Sequence, residues 1–372
     1  MITNSTGLEK NVYMAMEISN KKWKLAFTDM KKRREVNIDA RNTGGLKRAI
    51  EMAKEKFGIK GACKVKSCYE AGRDGFWIHR MLASIGVENI VVDPASIEVP
   101  RRGRRAKTDR LDAEKLLDLL VRYSAHGEER TWKVARVPDE SVEDERRGMR
   151  ERERLKKEAT MHSTRIRSLL ALHGITTKNL LGVEQIKRLR DWQGRALPAG
   201  IYAELEREIM RLKIVREQME ALEGEQEKLL RKPQTRIGMV AAKMAKIKGV
   251  GMVRAGVLSE EMLGWRKFKN RRQVGAMAGL SGTPYSSGES HREQGISKAG
   301  NRRVRHQMVE LAWQWIILQP QSVLSRWYGE RFEHGSGRMR KVGIVALARK
   351  LLIALWKYVE FDEIPAGAIV KA

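Results

Sequence analysis

The chain has 372 residues, 42% of them hydrophobic, which is enough for two or three domains with cores of their own. Lysine and arginine outnumber aspartate and glutamate by 74 to 46, a formal net charge of +28 and a pI of about 10.2. That excess points to a polyanionic partner, nucleic acid before an anionic membrane surface, and no apolar run approaches the ~18–20 residues of a membrane span.

The N-terminal MITNSTGLEKNVYMAMEIS lacks a basic stretch followed by an apolar one, so no secretory signal is expected. From Val12 onward, VYMAMEI, KWKLAFTD and REVNID read as three short strands split by lysine-rich turns. GGLKRAIEMAKEKFG reads as a helix ending at Gly58, KVKSCYE as a fourth strand and DGFWIHRMLASIG as a second helix. ENIVVDP is a fifth strand closed by Pro94, and a helix follows from about Thr108 to Tyr123. Three strands, then helix, strand, helix, strand, helix is the order of the RNase-H-like fold. Cys63 and Cys68 are too few for a zinc site and read as reduced thiols of a cytoplasmic, nucleoid-associated protein.

The middle of the chain is charged and helical. Leu205, Ile209, Leu212, Met219, Leu222 and Leu229 follow steps of four, three and seven, a heptad-like seam. An amphipathic helix packed within one chain and a self-associating coiled coil both satisfy it. Beyond Ala245, IKGVGMVRAGVLSE is a Gly-x-Gly turn between helical pieces, and GLSGTPYSSGES is a small-residue loop. SKAGNRRVRHQMVELAWQWI turns from basic loop into helix, and VGIVALARKLLIALWKYV is a last, largely apolar helix. The expected class is α/β plus α. Its parts are an N-terminal RNase-H-like (RuvC-like) domain over 1–125, a helical coiled-coil linker over 126–235 and a mostly helical C-terminal domain over 236–372.

Four carboxylates can converge at one sheet edge of that fold. Glu17 ends the first strand and Glu70 the fourth, and Asp109 and Asp112 lie one helical turn apart. Their repulsion calls for cations, and a pair of Mg²⁺ ions would both neutralise them and catalyse phosphoryl transfer. Each has a plainer reading: an Asp at a helix start caps it, and Asp112 can pair with Arg110 or Lys115 on a solvated face. Ser286 and Ser287, in PYSSGES, read on composition as a surface turn. Arg101, Arg102, Arg104, Arg105 and Lys107 are too dense to be buried, so solvent or phosphate takes them. Lys298, Arg302, Arg303 and Arg305 form a second basic cluster, and Gly249 and Gly251 can bring backbone N–H groups close to a phosphate. Trp313, Trp315 and Trp356 read as core or interface, and His162 and His173 carry no assigned chemistry.

At these residues the chain resembles the transposases of the bacterial insertion-sequence "one-ten" family, DEDD-type recombinases related to the Piv-type DNA invertase. The resemblance rests on MAMEISNKKWKLAF, YEAGRDGFWIHRMLASIGVENIVVDPASI, KTDRLDAEKL, IKGVGMVRAGVLSE, FKNRRQVGAMAGLSGTPYSSG, GISKAGNRRVRHQMVELAW and VGIVALARKLL, in that order over nearly the whole chain. It implies that Glu17, Glu70, Asp109 and Asp112 hold Mg²⁺, and that Ser287, directly before a glycine, is the nucleophile that forms a phosphoserine link to DNA. Ser286 is the residual candidate. It further implies a composite active site, a homodimer or homotetramer, donor and target DNA, and a noncoding bridge RNA as guide. Three positions depart from the family pattern: Glu17 stands where Asp is usual, Gly72 where Thr is and Lys248 where Pro is. A hydrolytic junction nuclease using only the acids, and a decayed copy that binds nucleic acid without catalysis, are the alternatives.

Overall fold

The computed structural model describes residues 10–97, 109–177, 179, 182–287 and 290–371; at 10, 95, 109–111, 285–287 and 290–294 it describes the backbone only. The chain divides into two compact units, 1–137 and 138–372. The basic residues Arg101, Arg102, Arg104, Arg105 and Lys107 lie outside the described residues.

The first unit is built on a five-stranded sheet. Its elements are β1 Lys10–Ile18, β2 Lys22–Thr28, β3 Arg33–Asp39, α1 Thr43–Lys56, β4 Cys63–Glu70, α2 Trp77–Ser84, β5 Val87–Val92 and α3 Asp109–Ala125. The strand order is β3-β2-β1-β4-β5. The first three strands are antiparallel neighbours, and β4 and β5 join β1 in parallel. Short polar turns link the antiparallel strands, whereas the parallel ones need α1 and α2 as crossovers.

Alternation along the strands separates two cores. Val12, Met14 and Met16 of β1 face α1 and α2 together with Trp23, Leu25 and Phe27. Tyr13, Ala15, Ala26 and Cys68 point the other way and pack beneath Ala113, Leu116, Leu117 and Leu120 of α3. Each fully buried Leu or Phe contributes on the order of 2 kcal/mol to this arrangement. After α3 the chain returns along β5 through an antiparallel bridge, Val92↔Val134, that covers the sheet's edge.

The second unit is mostly helical. It opens with α4 Glu140–Glu145, α5 Arg147–Ala171, α6 Val183–Ile186 and α7 Ala199–Arg231. The long helices α5 and α7 pack antiparallel within the chain: Arg152 pairs with Glu223, His162 with Glu208 and Arg165 with Glu204. Leu205 and Leu212 of the heptad-like seam are buried against Ile166, Leu169 and Leu170, while Leu229 is 59% exposed. The N-terminal part of the seam thus packs within one chain.

Next come α8 Arg236–Ala245, α9 Met252–Leu258, a π-helical turn over Ser259–Leu263 and α10 Arg271–Met277. The strands β6 Gly282–Ser287 and β7 Ser290–Ile296 follow, and then α11 Arg302–Leu318, α12 Val323–Tyr328, a second π-helical turn over Gly329–Glu333 and α13 Gly337–Phe361. Leu347, Leu351 and Leu355 of α13 lie at the centre of the core, against Met308, Leu311 and Trp315 of α11. Trp315 and Trp356 are buried, but Trp313 is 40% exposed and so is no core residue. The stretch expected to be a small-residue loop, GLSGTPYSSGES, instead contains β6, which pairs antiparallel with β7. Both cysteines are free. Among the described residues no helix is long and apolar enough to cross a membrane.

Candidate functional site

Glu17 and Glu70 arrive at one edge of the sheet through strand register. In the parallel pair β1–β4, Met16 stands beside Tyr69, so the next residue along each strand is Glu17 and Glu70. Both continue the alternation of Tyr13, Ala15 and Cys68, which puts them on the face covered by α3. Lys24, opposite Glu17 on β2, brings a positive charge to the same face and also pairs with Glu35 at 3.2 Å.

The direction of α3 follows from two contacts. Cys68 Sγ donates to the Leu116 carbonyl at 3.7 Å, and Asp118 pairs with Arg33, at the start of β3 and therefore at the opposite edge of the sheet. The helix therefore begins at the Glu17/Glu70 edge and runs away from it. Asp109 and Asp112 occupy its first turn, and Asp112 is half-buried. Burial pushes the Cys68 thiol up, and the nearby Glu70 carboxylate pushes it further, so the sulfur stays a neutral thiol behind the acids. Among the described side chains no three His, Cys, Asp or Glu gather closely enough to hold a metal ion, and the Asp109 side chain is not among them. The donor chemistry, carboxylate oxygen throughout, suits a hard cation such as Mg²⁺.

Ser287 closes β6. It stands opposite Ser290 as the last pair of the β6–β7 ladder, and Ser286 stands opposite His291. Below the ribbon, the chain turns sharply into α11. Gly300 has a φ of 155°, and a Cβ there would come within 2.5 Å of the Met277 carbonyl oxygen, so glycine is required. Asn301 then caps α11, accepting from the N–H groups of Arg303 and Val304.

The basic residues of this unit divide by what they touch. Arg302 and Arg303 line one groove together with Gly249 and Gly251. Gly249, with a φ of 93°, forms the turn between α8 and α9, and Val250 is buried beneath it. Arg305 faces inward, and its Nη1 donates to the carbonyls of Ala278 and Lys298, each at 3.0 Å. It therefore braces the turn that carries Lys298, whose own φ is 55°.

Residues 241–326, from within α8 to within α12, match the model of the family described as "Transposase IS116/IS110/IS902 family". The chain is 43% identical over 313 residues to "Putative transposase y4rJ" of Sinorhizobium fredii, covering 81% of this chain and 78% of that protein. This chain belongs to the IS116/IS110/IS902 transposase family. A second Sinorhizobium fredii protein, y4qE, is 28% identical over 82% of this chain and 72% of its own length. The transposase for insertion sequence element IS1328 of Yersinia enterocolitica is 27% identical over 67% of this chain and 71% of its own length.

The matched stretch of this family member holds the serine ribbon, the basic start of α11 and a carboxylate that sequence reading passed over. Glu261, in the first π-helical turn, is buried and accepts from Arg146 at 2.9 Å, Arg150 at 2.8 Å and Asn301 Nδ2 at 2.9 Å. It thereby ties the start of α5 to the cap of α11. Burial opposes its ionisation, but hydrogen bonds and charge from Arg150 and Arg146 prevail and hold its pKa down to about 2. Nothing in SEEMLG itself marks this carboxylate, whose arginine partners lie far away in the sequence.

Proposed function

We propose that the protein is a DNA transposase that cuts and rejoins strands through a phosphoserine link at Ser287, with Glu17, Glu70, Asp109 and Asp112 as its acidic group. The observation that carries this reading is the acid edge: two glutamates at matched ends of adjacent parallel strands, on the face where α3 starts with Asp109 and Asp112. Membership of a transposase family makes DNA the substrate for which those acids are read. The strand order, with three antiparallel strands followed by two parallel ones, supports reading the first unit as RNase-H-like.

In this reading the Ser287 hydroxyl attacks a phosphodiester phosphorus. A P–O bond to serine forms as the bond to one strand's oxygen breaks, the serine proton passes to a base, and the released oxygen takes up a proton. The link keeps the phosphate at the ester level, so a second strand's hydroxyl can reverse the step and complete an exchange without external energy. Glu17, Glu70, Asp109 and Asp112 would hold Mg²⁺, which supplies charge stabilisation on the phosphoryl oxygens when bound. Arginine and lysine on the partner surfaces hold phosphates in register. A bridge RNA and a dimer or tetramer belong to the reading through the family resemblance, and basic charge serves RNA and DNA alike.

The acids are tested by Asp109→Asn and Asp112→Asn in the full chain, reading Mg²⁺-dependent cleavage of DNA carrying an element end. Each substitution is expected to lower cleavage by at least the roughly 10–100-fold that loss of an outer-shell partner of a metal ligand costs. Asp118→Asn, about two and a half turns farther along the same helix than Asp109, is expected to cleave normally. Undiminished cleavage in both first-turn variants would remove the acids from the mechanism.

A further inference from the structure

We propose that the groove between α5 and α11 holds the sugar–phosphate backbone of duplex DNA, which makes α5 a DNA-binding element and not a spacer. The groove has a volume of about 1110 Å³ and lies wholly within the second unit. It rests on the DNA substrate of the reading above but not on the serine or the acids.

Charge is the first argument. Arg152, Lys156 and Lys157 of α5, Arg254 of α9, and Arg302 and Arg303 of α11 line the groove. Among the described residues Lys371 makes a seventh lining cation, against one lining carboxylate, Glu153. That carboxylate is already taken by Arg303 at 2.5 Å and Lys157 at 3.1 Å, and Arg152 is taken by Glu223. Among the described residues, Lys156, Arg254 and Arg302 have no carboxylate within ion-pair distance, so the groove keeps a net positive field that phosphates would neutralise.

Arg254 is the second argument. Its Nη1 donates to the Gly249 carbonyl at 2.9 Å and to Gln314 Oε1 at 3.0 Å, which fixes the guanidinium at the base of the groove. Its Nε is buried with no hydrogen-bond partner. Glu310 acts on this guanidinium only from beyond ion-pair contact, so a half-buried cation with an unsatisfied donor remains costly, and an anion in the groove lowers that cost. Burial lowers the Arg254 pKa, consistent with a cation short of an anion.

Donor spacing and lining chemistry favour a duplex backbone. Arg152 and Lys156 lie four residues apart along α5, which sets their cationic groups on one face with backbones ~6 Å apart along its axis. Arg302 and His306 repeat the same step on α11 across the groove. Among the described residues no Trp, Tyr or Phe lines the groove, which favours a duplex backbone over the stacked bases of a single strand. Glu261, bound to both Arg150 of α5 and Asn301 at the cap of α11, keeps the two walls at a fixed separation.

The test is fluorescence anisotropy with the full chain, a labelled DNA duplex and a duplex RNA of equal length, across a salt series. Lys156→Glu/Arg302→Glu is compared with Lys213→Glu/Arg216→Glu, an equal charge change at exposed positions of α7. The groove pair is expected to weaken duplex DNA binding about tenfold or more, the scale of two lost phosphate contacts, and to reduce the salt slope by about two. Lys156→Gln/Arg302→Gln gives the same direction with a smaller charge change, should the reversal disturb folding. Equal losses in the groove and α7 variants, or a loss confined to duplex RNA, would overturn the proposal. Groove variants that bind DNA normally overturn it whatever happens to cleavage.

Discussion

Glu260 and Glu261 are neighbours in sequence, 3% and 2% exposed, yet they ionise in opposite senses. Glu261 is met by two arginines and sits at about 2. Glu260 is pushed up to about 8, chiefly by burial and then by the charges of Glu261 and Glu145. The signs of their pH effects differ accordingly. The Glu261 contribution is present above the usual carboxylate value of 4.5 and lost as pH falls through about 2. The neutral Glu260 contributes stability below 4.5 that is lost as pH rises through about 8. The melting temperature of the full chain is therefore expected to fall between about pH 4.5 and 8, and Glu260→Gln to flatten that fall; an unchanged slope in the variant would contradict the assignment. None of this was legible in SEEMLG, because the arginines that reach Glu261 lie more than a hundred residues upstream. Glu17 and Glu70 were legible, since a charged residue ending an apolar strand stands out in a single sequence.

At the scale of elements, periodicity in the sequence reported an apolar stripe on α7 but not what covers it. The structure gives part of that stripe to α5, and burial grades along it. Leu212→Ala, at a position 3% exposed, is expected to cost about 2–5 kcal/mol in denaturant unfolding, whereas Leu229→Ala, at 59% exposed, is expected to cost little. Equal losses at both positions would mean that a second chain covers the exposed end. The β6–β7 ribbon escaped sequence reading for a related reason. Its residues, GTPYSS and SHREQGI, are small or polar on both faces, so no period-two apolar pattern marks them as strands. The five strands of the first unit were legible because their apolar residues and lysine-rich turns alternate at the expected lengths, although only the structure fixes the order β3-β2-β1-β4-β5.

For the whole molecule, a charge of +28 says that a polyanion binds but not where. In the second unit the structure spends some of that charge internally: Arg305 braces a turn, and Arg146 and Arg150 hold Glu261. Lys156, Arg254 and Arg302 remain directed into the groove. Family membership supplies the DNA, the acid edge is the group we propose for phosphoryl transfer, and the β6–β7 ribbon carries Ser287 at its end. The central claim is that this serine becomes covalently joined to DNA. Its most direct measurement is a denaturing gel of the full chain incubated with Mg²⁺ and end-labelled element DNA. The parent and Ser286→Ala are expected to show a labelled protein–DNA adduct, and Ser287→Ala none despite normal DNA binding. An adduct that persists in Ser287→Ala, or cleavage that survives there without an adduct, would contradict the phosphoserine account, the latter in favour of hydrolysis by the acids alone.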